Sequence, residues 1–139
     1  MKLAFILDPL EHLKAYKDSS VAMLRAAQAR GHESFAVMRP ALAWRDGAVR
    51  AAASRLIVGE DHRDWFEAGA LQDFALADFD AILMRQDPPF DFEYLAATWL
   101  LERAQAGGAR VFNDPRAVRD HSEKLAILEF PQFIPDTVV

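Results

Sequence analysis

The chain opens with an uninterrupted apolar run, Leu3-Ala4-Phe5-Ile6-Leu7, closed by Asp8-Pro9. Continuous rather than alternating apolarity is the pattern of a strand covered on both faces. Residues 9–18 are a polar connection, and a helix is predicted from about residue 19 to residue 30. Asp18 or Ser19 supplies its capping oxygen, Val21, Leu24, Ala27 and Gln28 recur at helical spacing, and Gly31 ends it. Residues 34–38 form a second strand, and the β-α-β order favours parallel pairing. The middle changes character. Ala43-Trp44-Arg45 and Ala48-Val49-Arg50 flank Asp46-Gly47, a pair suited to a tight primed hairpin turn. Residues 55–58 add another strand, and 60–78 hold an amphipathic piece of weak periodicity around Trp65-Phe66.

The main sheet resumes at residues 80–85. A helix is then predicted over 92–106, with Tyr94, Leu95, Thr98, Leu101, Glu102 and Gln105 marking its stripe and Gly107-Gly108 its end. Residues 110–113 are the next strand. Asp114 caps a short helix over 115–119 that carries Pro115 at its first position. Ser122 caps a further helix over 123–129, and the tail, 130–139, ends in strand-like residues. The whole is an α/β chain with a mostly parallel sheet, helices on both faces and a small β-hairpin insertion.

At 139 residues the chain is of ordinary domain size and able to bury a real core. Its net charge of −5 and the lack of a Lys/Arg-rich run argue against nucleic acid as a partner. Without cysteine there is neither a disulfide framework nor a thiolate metal site. The first apolar run is too short for a signal peptide, and no stretch approaches the ~20 apolar residues of a membrane span. A cytoplasmic location is the expectation. His12, His32, His62 and His121 are scattered, with no pair at metal-ligand spacing on one helix face, and are read as surface residues. Trp44, Trp65 and Trp99 are expected to fill the core. Lysine is rare, which makes each of Lys2, Lys14, Lys17 and Lys124 worth inspecting.

The candidate chemistry gathers at strand ends. Met84-Arg85-Gln86-Asp87-Pro88-Pro89-Phe90-Asp91 follows a buried strand with an arginine, two carboxylates and a stiff double proline. Arg85 offers a planar fork that suits a carboxylate, at the place where open α/β sheets bind ligands. The competing reading is a structural ion pair with Asp87 or Asp91. Asp8, at the end of the first strand, either meets a substrate amine or starts a turn before Pro9. Asp18, Ser19 and Ser20 combine a helix cap with an N-terminus that attracts anions. Asp87 and Asp91 are read as loop residues rather than acid–base groups, with Asp91 capping the following helix. No catalytic residue and no metal ligand is assigned.

The order of Leu7-Asp8-Pro9, Lys17-Asp18-Ser19-Ser20, the eight residues 84–91, Leu101-Glu102-Arg103-Ala104, Asn113-Asp114-Pro115 and Glu123-Lys124-Leu125 resembles the N-terminal part of prokaryotic glutathione synthetase across essentially the whole chain. The resemblance implies a Rossmann-like, pre-ATP-grasp domain over residues 1–129, with 130–139 leading toward an ATP-grasp portion supplied in cis or in trans. It implies binding of γ-glutamylcysteine at Arg85, with Asp8, Asp18, Ser19 and Ser20 as its neighbours, and an approach of Lys124 to nucleotide phosphates. ATP and Mg²⁺ serve the full enzyme, which joins γ-glutamylcysteine and glycine, and a homo-oligomer is expected. The glycine-rich loop, second ATP lysine and Mg²⁺ carboxylates of the family lie beyond this chain, so the chain alone is expected to be inactive. The alternative is a stand-alone, non-catalytic binding or regulatory domain. A receiver-like or flavodoxin-like module, suggested by Asp8, calls for an acidic cluster or a phosphate loop that the sequence does not offer.

Overall fold

The computed structural model describes residues 1–86, 89–122 and 124–138. Seven strands form one sheet: β1 (Lys2–Leu7), β2 (Glu33–Met38), β3 (Ala43–Arg45), β4 (Ala48–Val58), β5 (Phe66–Ala75), β6 (Ala81–Met84) and β7 (Val111–Phe112). Three α-helices accompany them: α1 (Ser19–Ala29), α2 (Phe92–Ala106) and α3 (Pro115–Asp120). The parallel core has the order β2-β1-β6-β7. Each of residues 3–7 in β1 is buried, as its unbroken apolarity requires. The pleat sends Ala4 and Ile6 to one face and Leu3, Phe5 and Leu7 to the other.

The two faces are closed by different helices. α1 lays Val21, Leu24 and Ala27 on Leu3, Phe5 and Leu7, while α2 lays Tyr94, Ala97, Leu101 and Ala104 on the opposite face with Ala4, Ile6, Ile82 and Val111. Caps fix where both helices begin. The Asp18 carboxylate accepts from the Ser20 and Val21 N–H groups, and that of Asp91 from Tyr94 N–H at 2.7 Å. Gly31, at φ 74°, takes the left-handed conformation that ends α1.

The hairpin turn is as the Asp-Gly pair predicts, with Asp46 and Gly47 both at positive φ. The antiparallel part is larger than a hairpin. Residues 55–58 are the continuation of β4, and the stretch of weak periodicity contains β5, a ten-residue strand paired antiparallel along β4. β3 and β2 meet the other edge of β4 end to end, at residues 48–50 and 53–56. Polar groups of α1 dock this ribbon. The Gln28 side chain both donates to and accepts from the Val58 backbone, at 2.7 and 2.8 Å, and Arg25 donates to the Gly59 and Asp61 carbonyls.

Three expectations are corrected. The helix over 123–129 is a 3₁₀ turn, Ala126–Glu129, in which the Ser122 backbone carbonyl accepts from Ala126 N–H; Glu123 lies outside the described residues. Seven residues before Pro131 are too few for an isolated α-helix, and Leu125 and Leu128 find no core to stabilise one. The tail carries a second 3₁₀ turn, Pro131–Phe133, and no strand among its described residues. Trp65 is buried, but Trp44 and Trp99 are each about half exposed, at 48% and 49%. Trp44 sits on the short edge strand β3 beneath the Arg103 guanidinium, and Trp99 lies on the face of α2 away from the sheet.

Leu101 is 1% exposed at the centre of the α2 face. Replacing it with alanine removes a buried side chain and leaves a cavity, so Leu101→Ala is expected to cost about 2–5 kcal/mol in urea unfolding. Leu71→Ala, on the exposed ribbon, is expected to change the midpoint little.

Candidate functional site

β1 and β6 are neighbours in register, with Ile6 opposite Met84, and Arg85 N–H donates to the Ile6 carbonyl at 2.9 Å. Beyond this point the two chains part. β1 leads through α1 to β2 on one side, and β6 leads through α2 to β7 on the other. A crevice opens where the strand order reverses. Asp8 stands at one lip, Arg85 and Gln86 at the other, and Gln86 Nε2 bridges them by donating to Asp8 Oδ1 at 3.0 Å.

The Arg85 side chain crosses the crevice to the start of α1. Nη2 donates to Ser19 Oγ at 2.7 Å and Nε to Ser20 Oγ at 3.3 Å. Ser20 is itself buried, which fixes the direction of the fork. Among the described residues Arg85 has no carboxylate within ion-pair distance. Asp91, one of the acids weighed as its structural partner, pairs instead with Arg39 at 3.3 Å; Asp87, the other, lies outside the described residues. A guanidinium at the N-terminal, electropositive end of a helix is unfavourable unless an anion joins it. Among the described residues the remaining guanidinium N–H groups make no hydrogen bond and can receive that anion.

Five of the six residues singled out in the sequence line one cavity of about 480 Å³: Asp8, Asp18, Ser19, Ser20 and Arg85. The sixth, Lys124, lines a second cavity of about 500 Å³, whose walls include Gln86, Phe90, Tyr94 and Asn113. Arg85 lines both. Sequence reasoning missed His12, Lys14 and Lys17, which rim the first cavity. The signal for Lys17 was present: a rare lysine beside the residue that caps α1. Asp18 and Asp8 are the acids of that lining, and both are engaged, Asp18 by the α1 backbone and Asp8 by Gln86. Lys14, Lys17 and Arg85 outnumber these two carboxylates in the lining.

The second cavity is framed by clamps at both ends of α2. Arg39, only 12% exposed, meets Asp91 and Glu93 and lies over the Tyr94 ring. Arg119 of α3 pairs with Glu102 and donates to the buried Thr98 hydroxyl, holding Val118 and His121 against the cavity. Asp114 caps α3 through Ala117 N–H at 2.8 Å. No group of three or more His, Asp or Glu side chains suited to a metal ion occurs among the described residues. Among them, too, no helix is long and apolar enough to cross a membrane.

This geometry is that of a Rossmann-like α/β domain with a crevice at its switch point lined by Arg85, Lys14 and Lys17. Residues 1–119 match the family model described as the N-terminal domain of prokaryotic glutathione synthetase, and the chain belongs to that family. Glutathione synthetases of Nitrosomonas europaea, Ralstonia nicotianae and Bordetella pertussis are 52%, 48% and 51% identical over all of this chain. The match covers 44%, 43% and 45% of those proteins, so the chain spans less than half the length of these relatives. They leave the stand-alone regulatory domain without support.

The hydrogen bond from Ala117 N–H, with smaller contributions from the Gln105 side chain and the Arg119 charge, holds the Asp114 carboxyl below its ordinary range. A depressed folded value means that the charged carboxylate stabilises the fold above about pH 3.9, the ordinary value for aspartate. That contribution is lost as pH falls through the lower folded value. Asp114→Asn keeps a capping oxygen and does not titrate, so acid unfolding of the variant is expected to show a shallower pH dependence below pH 4. Circular dichroism across that range measures it; an unchanged slope would show that the cap does not couple to folding.

Proposed function

We propose that this chain forms the dipeptide-binding part of a glutathione synthetase, which joins γ-glutamylcysteine to glycine with cleavage of ATP. The observation that carries the reading is Arg85. Its guanidinium is aimed by Ser19 and Ser20 into a crevice at the switch point, without an acid partner among the described residues. A carboxylate-bearing ligand supplies the missing charge, and γ-glutamylcysteine carries two carboxylates and one amine. Asp8 at the opposite lip suits the amine.

In the reaction, a cysteinyl carboxylate oxygen attacks the γ-phosphorus of ATP, and ADP departs. The glycine amine then attacks the acyl carbon, an amide bond forms and phosphate leaves. Arg85 neutralises and orients the carboxylate, and Lys124 faces the nucleotide phosphates from the adjoining cavity. The ATP-grasp machinery and the groups that hold Mg²⁺ belong, in this reading, to the length that the relatives have beyond the match. The metal there would neutralise phosphate charge. In this reading the protein is cytoplasmic.

Arg85→Ala is expected to weaken γ-glutamylcysteine binding about tenfold or more, since a charge-assisted bond contributes roughly 1.5–3 kcal/mol and ~1.4 kcal/mol is a decade. Arg85→Lys keeps the charge, loses the fork and is expected to be damaging too. Calorimetric titration of the folded variants, carried in a full-length synthetase, checks both. Unfolding of Arg85→Ala, or equal loss of ATP and dipeptide binding, would make the residue structural.

Leu125, Leu128, Phe130 and Phe133 are exposed together near the end of the chain. An apolar face of this kind favours association, and a dimer or larger species is expected at micromolar concentration. Light scattering that returns a monomer at every concentration would remove the oligomer from the reading.

A further inference from the structure

α2 carries apolar residues on both of its sides. Its only charged residues are Glu93, Glu102 and Arg103. Tyr94, Ala97, Leu101 and Ala104 are buried against the sheet. On the outward side Phe92, Ala96, Trp99 and Arg103 follow one another at helical spacing, with Leu95 and Leu100 beside them. Phe92 is 75% exposed and stands edge-on to Trp99, and Trp44 extends the patch beyond Arg103. A helix that is apolar all round is the pattern of one covered on every side. Exposed Trp and Phe together with Arg are also the composition of an interface centre.

The charges say what fits there. Arg103 lies over the Trp44 ring and has no carboxylate within ion-pair distance among the described residues. Glu93 lies about 15 Å back along the helix, at ~1.5 Å per residue. Its side chain is 79% exposed, and Arg39 meets it at 3.4 Å. The outward side thus has an acid in its first turn, a cation in its last and Trp99 at its midpoint. Such a face is complementary to itself. Against an antiparallel copy, related by a two-fold axis near Trp99, Arg103 of each copy comes opposite Glu93 of the other. A parallel copy sets Arg103 against Arg103, so charge selects the antiparallel arrangement.

We propose that the outward side of α2 is a two-fold interface, on which a second copy of this chain packs its own α2 in antiparallel fashion. Trp99 lies at the centre, and two reciprocal Arg103–Glu93 pairs flank it. The inference rests on the oligomer expected above and names a surface for it separate from the tail. It is independent of the dipeptide and of Arg85.

The changes are carried in a full-length synthetase, and the mass of the assembly is followed by sedimentation velocity across concentrations. Trp99→Glu is expected to weaken association roughly thirtyfold, the effect of losing a central aromatic anchor. γ-Glutamylcysteine binding is expected to persist in this variant, because Trp99 lines neither cavity. Arg103→Glu and Glu93→Arg each set like charges together and are expected to weaken association severalfold when alone. Mixed, the two variants are expected to associate again, since each supplies the charge that the other lacks. Circular dichroism establishes that each variant is folded. If Glu93→Arg, which also loses its contact with Arg39, fails to fold, Trp99→Glu decides by itself. A Trp99→Glu protein that assembles like the unaltered one overturns the proposal and leaves the oligomer to another surface. Mixing that restores nothing overturns the antiparallel arrangement. If the unaltered protein is a monomer at every concentration, the oligomer fails as well, and the face belongs to the length that the relatives have beyond the match.

Discussion

The parting of β1 and β6 is the constraint on which the rest depends. The two strands are hydrogen-bonded neighbours through Ile6 and Met84, and then their chains turn to opposite faces of the sheet. Neither connection can cover the gap they leave, because right-handed crossovers carry each helix away from it. The gap is lined by whatever follows the last paired residue of each strand. Here those residues are Asp8 on one side and Arg85 with Gln86 on the other, so the chemistry of the crevice follows from where pairing stops.

A second level of order comes from the helix on each face. α1 starts at the crevice because Asp18 caps it there, and this puts Ser19 and Ser20 within reach of Arg85. α2 starts nearby because Asp91 caps it, and the same carboxylate is held by Arg39 from the end of β2. Residues 85–91 are thus tied at one end to α1 and at the other to the chain after β2. Neither tie uses the groups that a ligand would need, since the serine hydroxyls occupy only part of the Arg85 fork.

Much of this was legible before any coordinates. The unbroken run in β1, the Asp-Gly turn, the Asp91 and Gly107 limits of α2 and the cap of α3 are local signals, and the fold obeys them. β5 was not legible. Ala68-Gly69-Ala70 has little strand propensity, and a strand exposed on most of its positions shows no alternation. The 3₁₀ turn over 126–129 was misread because Leu125, Ile127 and Leu128 look like a helix face when nothing says what they pack on. The same limit applied to Trp44 and Trp99, whose size says core and whose place says surface. At the candidate site, Arg85 announced itself by type and position. Lys17 gave only the weaker signal of a rare lysine beside a helix cap, because its place on the crevice exists only after the turn at residues 14–18 is folded.

The two-ended tie on residues 85–91 bears on how the protein can vary in length. A residue added to or removed from that span would have to displace either the Arg85 fork from α1 or the Asp91 cap from α2, whatever its identity. The connection between β4 and β5 is the opposite case, an outlying end of an antiparallel ribbon that reaches α1 through Arg25 and Gln28. There, an insertion meets the rest of the domain through Arg25, Gln28 and the Tyr16–His62 ring contact. Divergence among related sequences should accordingly accumulate as gaps in the ribbon and as substitutions, never gaps, in the span between the two ties.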